Sequence, residues 1–595
     1  MIIFNSQSEI FKYPLGAIKE NEKVTLNIHI KRDFTCLPKV VLYKRNNYDK
    51  YFYKSFDLKW VNTIKNYDIY SVNFSVADYG NYYYSFLIND DENIFPKMYE
   101  LLVYKDCFET PHWIKGGIIY HVFVDRFNKV GANNTKHRDD IVLRNWGELP
   151  FYKPNEEVEI LNNDFFGGNL EGIIEKLPFI HSLGVNTIYL SPIFEAYSNH
   201  KYDVGDYFKI DFLFGDEETL KKLCEEAAKL NIGIILDLVL NHSGDDSIYF
   251  NKQNTYNSIG AYQSKNSIYY NWYTFKHYND DYNCWWGIKT LPTLNKQNKD
   301  YIDFVMNENG VLKHWLQSGV KGYRLDVADE LPNEFLNKLR SSVKSENENA
   351  LIIGEVWEDA SNKFSYDYLK EYFLGQQLDS VTNYPLKEAI ISFILAKNCH
   401  VLYETMNLLI EKYPQKVLNC LMNILGTHDT ARILTVLGSE STPHTKEDMA
   451  ESKLSEKEKT YGIKMLKLAS LLQFTLPGVP CIYYGDEVGV EGWIDPFNRQ
   501  CYPWGNENTK ILEHYKFLGD LRKNNIFKEG KYKCLVHEED IFVFERYDDN
   551  EKIVIGINLS DQDVKFRCDE PMKEYESSKK SNSYNIKSES YIILN

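Results

Sequence analysis

Residues 322–330 read GYRLDVADE. The apolar run from Val320 to Leu325 has the look of a buried strand, yet it ends by presenting Arg324 and Asp326. Residues two apart on a strand project to one face, so a cation and a carboxylate are aimed at the same place. Charge that directly abuts an apolar run is costly unless it is paired around a shared polar pocket. The pattern recurs along the chain. One apolar run ends DLVLNH, with Asp237, Asn241 and His242; another ends GEVW, with Glu355 and Trp357; a third ends GTHD, with His428 and Asp429.

Working outward from these ends, apolar strands alternate with amphipathic helices from Gly116 onward. The strands are expected at residues 118–124, 185–191, 232–238, 320–326, 351–356, 379–383, 421–426 and 479–484. Between them, residues 217–230 place Leu220, Leu223, Ala227 and Leu230 on one helix face, and Pro332 is well placed to start a helix over 335–343. Eight strand–helix units predict an α/β fold, a (β/α)8 TIM barrel. A doubly wound sheet would want a Gly-rich phosphate turn, and none follows the first strand. One connection, residues 242–293, runs to about fifty residues and includes NWYTFKHYNDDYNCWWG, which marks it as an inserted B domain with a functional part. Short alternating segments in residues 1–112 and again in 528–595 predict N-terminal and C-terminal β-sandwich domains flanking a barrel over 113–527.

A chain of 595 residues exceeds what one hydrophobic core supports. Its net charge of −17 argues against nucleic acid or an anionic membrane as partner. No apolar run reaches the ~20 residues of a membrane span. The opening MIIFNSQSEIFKYPLG lacks the basic-then-apolar order of a signal peptide, and the ten cysteines show no CxxC pair or zinc spacing. Reduced thiols and a cytoplasmic protein are the expectation. Forty-five tyrosines suit stacking on sugar rings, although a composition rich in Lys, Asn and Ile explains them too.

In a barrel, active sites sit at the C-terminal strand ends, where these polar residues fall. Three acids, two histidines and an arginine there fit hydrolysis of a glycosidic bond. One carboxylate must be ionised to attack the anomeric carbon, and a second must be protonated to release the leaving oxygen. Arg324 beside Asp326 would hold the attacking carboxylate ionised, and Glu355, near like charges, would be raised in pKa and serve as the acid. A divalent metal site is the other chemistry open to the same residues.

DLVLNH, GYRLDVADE, GEVW and GTHD, in that order, resemble the four signature regions of the α-amylase family of glycoside hydrolases. GVNTIYLSP and GVPCIYYGDEVG resemble its second- and eighth-strand motifs, and LPTLN its B-domain motif. The resemblance implies Asp326 as nucleophile, Glu355 as general acid/base and Asp429 as the third acid. It places His242, His428 and Arg324 around the attacked sugar, Tyr202 beneath it with His200 nearby, and Trp357 on the leaving-group side. Arg499 is a further substrate-binding candidate; Asp237, Asn241 and Asp203 are expected to be structural, and Trp285 and Trp286 to wall the cleft. His112, His137 and His444 are expected at the surface.

Within the family, the N-terminal β domain and Glu330 resemble the cyclomaltodextrinase, neopullulanase and maltogenic amylase group. That group reads DVANE, so Asp329 is a departure; Ala328 and Asp329 also replace the Lys-His of many secreted α-amylases. A retaining hydrolase of α-1,4 bonds in short or cyclic maltodextrins is implied, with α-1,6 bonds as the secondary linkage and a homodimer as partner state. A glucanotransferase or trehalose-forming enzyme is the alternative, and a non-catalytic glucan-binding relative would lack the acids. No cofactor is required by this chemistry. For structural calcium, DRFNKVGANN and FFGGNL offer only the neutral oxygens of Asn133, Asn134, Gly167 and Asn169, which implies a weak site at most.

Overall fold

The computed structural model describes all residues except 1, 33, 35, 132–137, 156–159, 576 and 578. At its centre are eight parallel strands: β1 (Ile119–Val122), β2 (Thr187–Leu190), β3 (Gly233–Leu238), β4 (Gly322–Leu325), β5 (Leu351–Gly354), β6 (Ser380–Val381), β7 (Met422–Ile424) and β8 (Val479–Tyr483). Each lies within a segment expected from the sequence. They pair in the order β6-β5-β4-β3-β2-β1-β8-β7. A parallel bridge between Thr382 and Met422 joins the two ends and closes the barrel.

Register explains the glycine that opens β4. Gly322 pairs with Leu351, and a Cβ on it would lie 2.2 Å from the Leu351 carbonyl oxygen. No larger residue fits between the two strands there. Tyr323 and Leu325 are fully buried on one face of β4, which leaves Arg324 to face the barrel interior.

Helices cover the barrel after seven of its strands; examples are Leu170–Ser182 after β1 and Asn333–Glu346 after β4, the latter with Pro332 at its N-cap. The β5–β6 connection differs from the expected unit. It has no α-helix and carries instead a small hairpin, Phe364–Ser365 paired with Tyr368–Leu369. The N-terminal region packs against this part of the barrel. Lys105 N–H donates to the Leu374 carbonyl at 3.1 Å, Arg340 donates to the Glu109 carbonyl at 3.0 Å, and Lys412 pairs with Glu100 at 2.9 Å.

That N-terminal region consists of two five-stranded sheets around a core that includes Val24, Leu26, Ile28, Val40, Tyr84 and Phe86. Strict alternation in Val24–Lys31, buried at every second residue, is the pattern that sets one face inward. The C-terminal region has a four-stranded antiparallel sheet from Lys531–Glu538 to Ser590–Leu594 and a separate two-stranded hairpin. In the insertion after β3, Trp272, Tyr273 and Tyr282 are buried in the main core. A second excursion, Phe194–Ala196 paired with Val204–Ile210, follows β2 and was not legible as alternation.

Beneath β8, Glu487 is fully buried and accepts from Tyr120 Oη at 2.7 Å and Gly485 N at 2.8 Å. Burial pushes its pKa up from 4.5 to about 7. The folded protein therefore keeps a proton that the unfolded chain would release. This stability is fully present below about pH 4.5 and is lost as pH rises toward 7, a change of roughly 3 kcal/mol. Glu487→Gln should flatten that slope in urea unfolding between about pH 5 and 7; an unchanged slope would show that Glu487 ionises freely in the fold.

Candidate active site

At the C-terminal end of the barrel lies a cleft of about 1230 Å³, above the roughly 300–1,000 Å³ typical for drug-sized ligands. Asp326, Glu355, Asp429, Tyr202, His200, His242, Trp357, His428 and Arg499 all line it. Arg324 lies just beneath, 2% exposed. The sequence-expected site residues thus come from five strand ends and a loop into one pocket.

Arg324 is the hub. Its Nη1 donates to both oxygens of Asp237, at 2.9 and 3.0 Å, and to Asp326 Oδ1 at 3.0 Å. Its Nη2 lies 3.1 Å from Glu355 Oε2. The arginine expected to serve Asp326 is shared by three carboxylates. Asp237 is also held by Tyr189 Oη at 2.5 Å and Tyr202 Oη at 2.9 Å, so it anchors the arginine from below. Glu355 receives the Val327 N–H at 2.8 Å on Oε2 and the Trp357 indole N–H at 3.1 Å on Oε1.

Val327 adopts φ 40°, ψ 55°. A β-branched residue in the left-handed region costs of order 1–3 kcal/mol and persists only where the surroundings enforce it. Here the kink turns the chain just after Asp326 and aims an amide at Glu355. Nothing in GYRLDVADE announces it.

The electrostatics follow from burial. Burial pushes Asp326 well above the usual carboxylate range; the Glu355 charge adds to that push and Arg324 opposes it. Burial likewise raises Asp429, against Arg499 and Arg324. Arg324, expected to keep Asp326 ionised, opposes this rise without cancelling it. The histidines go the other way: burial brings His242 down to about 3, lowers His200, and holds His428 well below its ordinary value, with Arg499 adding to the last. Neutral imidazoles line the pocket near neutral pH. His242 Nε2 and His428 Nδ1 are buried with no hydrogen-bond partner among the described residues. Unpaired nitrogens in a cleft wall are costly until something with hydroxyls occupies the cleft.

Around Asp429, His428 Nε2 lies 3.2 Å away and Arg499 Nη2 3.8 Å. Arg499 is fixed by Asp495 at 3.0 Å and by the His428 carbonyl at 3.0 Å. Tyr202 stacks on His428 with planes 9° apart, and its hydroxyl meets His428 Nε2 at 2.5 Å. Trp285 stacks on His242 at 5.1 Å, and Trp286 stacks on Trp285 in turn, 78% exposed. Trp357 lies flat on Tyr384 at 3.9 Å. Asp203 is bound by the amide and hydroxyl of Ser198, and Asn241 by Lys296 at 2.6 Å, which suits supporting roles. Asp329 pairs with Lys363 at 2.6 Å and accepts from Tyr372 at 2.5 Å, partners that a carboxylate satisfies better than an amide.

Sequence reasoning missed His121, an inward residue of β1 stacked on Tyr189 at 4.2 Å, and Asp495, the partner of Arg499. It missed the hairpin after β5, whose Phe364 and Tyr366 line the cleft. His112 and His444 are exposed as expected, and His137 lies outside the described residues.

The calcium candidates fit poorly. Asn133 and Asn134 lie outside the described residues. Asn169 Oδ1 is engaged as a helix N-cap by the Gly172 N–H at 2.8 Å. Asp125 is saturated by Arg126 and by the amides of Phe166 and Gly167. No cluster of three or more acids, histidines or cysteines suited to a metal occurs among the described residues.

Residues 121–514 match the family model described as alpha amylase, catalytic domain. An amylopullulanase of Thermoanaerobacter thermohydrosulfuricus is 34% identical over 94% of this chain but 41% of its own length. The chain spans less than half the length of the curated relatives it matches first. A cyclomaltodextrinase of Geobacillus thermopakistaniensis is 32% identical over 77% of this chain and 71% of that protein. Among solved structures, a cyclic α-maltosyl-(1→6)-maltose hydrolase from Arthrobacter globiformis superposes with a TM-score of 0.67 at 26% identity, covering 81% of this chain and 99% of that one.

Proposed function

The chain belongs to the alpha-amylase family, and from that premise we propose that it is a retaining α-glucan hydrolase acting on α-1,4, and also α-1,6, bonds of cyclodextrins, maltooligosaccharides or pullulan. One observation carries the reading. Two prongs of a single guanidinium hold Asp326 and Glu355, at 3.0 and 3.1 Å. Carboxyls tied to one guanidinium suit the ~5–5.5 Å pair of a retaining enzyme, in which the second carboxylate itself is the nucleophile.

Asp326 attacks the anomeric carbon while Glu355 protonates the departing oxygen; water, deprotonated by Glu355, then releases the sugar from Asp326. Asp429, His428 and Arg499 present one carboxylate, a neutral imidazole and a cation to the hydroxyls of the attacked sugar. Tyr202 provides a ring face beside them, and Trp357 one for the leaving portion. A covalent glycosyl-enzyme can be intercepted by a sugar in place of water, so some transfer accompanies hydrolysis.

Cytoplasmic location and a homodimer belong to the same proposal. Support comes from ten free thiols and from the exposed aromatic side chains Tyr51, Phe52 and Trp60 of the N-terminal region.

Chromatographic product profiles on β-cyclodextrin, pullulan, maltotriose and soluble starch test the reading. Linear maltooligosaccharides from cyclodextrin are expected, with hydrolysis exceeding transfer. Products dominated by larger transfer oligosaccharides or by trehalose would replace the hydrolase with a transferase or isomerase.

A further inference from the structure

The hairpin that stands in for a helix between β5 and β6 has strands of two residues each, too short to hold their own shape in water. Its tip, Tyr366 and Asp367, takes φ of 49° and 66°, the double left-handed turn that two-residue hairpins require but tyrosine dislikes. Something must hold it. On the cleft side, the Tyr366 hydroxyl donates to Glu330, while Lys363 at the hairpin base pairs with Asp329. On the outer side, the support comes from the N-terminal sheets of the same chain.

That support is the turn between strands Pro38–Asn46 and Asp49–Asp57. The Tyr48 ring lies 4.3 Å from Phe364, and its hydroxyl donates to Asp367 Oδ1 at 3.0 Å. Asn47 Oδ1 accepts from Leu369 N at 3.2 Å. Behind them, Arg45 donates to Asn362 Oδ1 at 2.5 Å, and the Asn362 amide donates to Tyr83 Oη at 2.6 Å and Glu100 at 2.9 Å. Five residues of the N-terminal region thus converge here, Asn47 and Tyr48 on the cleft-lining hairpin itself and Arg45, Tyr83 and Glu100 on Asn362 just before it.

Barrel order fixes which end of the cleft this is. Glu355 ends β5 and the hairpin follows it, whereas Asp429 and Arg499 follow β7 and β8. The hairpin therefore stands on the side where Glu355 releases the leaving oxygen. Tyr366 of the hairpin and Trp286 of the inserted segment line the same cleft, so the two together bound that end.

We propose that Tyr48 is a specificity-determining positioning residue: from the N-terminal region it fixes the hairpin as the leaving-group wall of its own chain's cleft, and so favours short or cyclic α-glucans over bulky starch. The proposal rests on the glucan-hydrolase reading above. It needs no partner chain, since every contact is within one polypeptide.

The test compares full-length wild type, Tyr48→Ala and Tyr48→Phe on β-cyclodextrin, soluble starch and 4-nitrophenyl α-maltoside, whose small leaving group does not reach the hairpin. Tyr48 is 67% exposed, so neither variant threatens folding. Tyr48→Ala should raise KM for β-cyclodextrin by about tenfold, leave kcat nearly unchanged, and erode the preference for cyclodextrin over starch. Kinetics on the nitrophenyl substrate should not move, and Tyr48→Phe, which keeps the ring on Phe364, should recover most of the KM. An unchanged KM on both glucans, or an equal loss on all three substrates, overturns the proposal. So does an effect that vanishes once light scattering shows single chains, because the wall would then come from a second copy. A wild type inert on every substrate instead sinks the hydrolase reading, and this proposal with it.

Discussion

Asp326→Asn should abolish turnover of β-cyclodextrin, lowering kcat on the order of 10⁴-fold or more, while the protein stays folded. An amide has no charge with which to attack the anomeric carbon. Its oxygen can still accept from Arg324, at the 3.0 Å now measured to Asp326 Oδ1. The guanidinium is not orphaned, because Asp237 holds it at 2.9 Å and Glu355 at 3.1 Å. Burial already disfavours a charge on Asp326, so removing the charge should leave the melting temperature equal or higher. Activity and stability then move in opposite directions, which distinguishes loss of a nucleophile from loss of a fold. In the wild type, NMR of fresh product should show the α-anomer first. A β-anomer first would mean a single displacement, and Asp326 would no longer be needed as a nucleophile.

Much of this was legible because barrel strands buried on both faces read as unbroken apolar runs, and the charges that end them stand out. Arg324 and Asp326, Glu355, and His428 with Asp429 were found that way. Other features were hidden for the same physical reason in reverse. His121 sits inside the apolar run IYHV, where one polar residue does not break the pattern. Tyr202 and His200 lie on a hairpin whose alternation is too weak to see, and only resemblance brought them forward. The left-handed Val327 contradicts the propensity of its residue type, so no local rule could find it; the Glu355 contact and the packing of the strand end decide it. The missing fifth helix is a tertiary effect. A sequence of turn formers after GEVW is compatible with a loop or a hairpin, and what selects the hairpin is support from Arg45, Asn47 and Tyr48, more than 300 residues away in the chain.

Glu355→Gln should separate the two jobs of the paired carboxyls. The variant keeps an acceptor for the Val327 N–H and Arg324, now 2.8 and 3.1 Å from Oε2. Its NH₂ would face the Trp357 indole donor, but Trp357 is 46% exposed and water can serve it, so the structural cost is small. Without a proton donor, hydrolysis of β-cyclodextrin should fall by roughly 10²–10⁴-fold. Glucosyl fluoride, whose leaving group needs no protonation, should still form the covalent intermediate, and added azide should then attack it from the side that Glu355 normally serves. The product expected is the α-glucosyl azide. The pH profile gives an independent readout. In the wild type, Asp326 must ionise against burial, so the acid limb should lie above the usual carboxylate range. At that limb Glu355 still carries its proton, so replacing it with the neutral amide removes no charge. The acid limb on glucosyl fluoride should therefore stay near its wild-type position, and the alkaline limb, which reports loss of the acid's proton, should disappear. An alkaline limb that persists would show that another group is the acid, and a β-azide would show that Glu355 is not the group on the leaving-oxygen side.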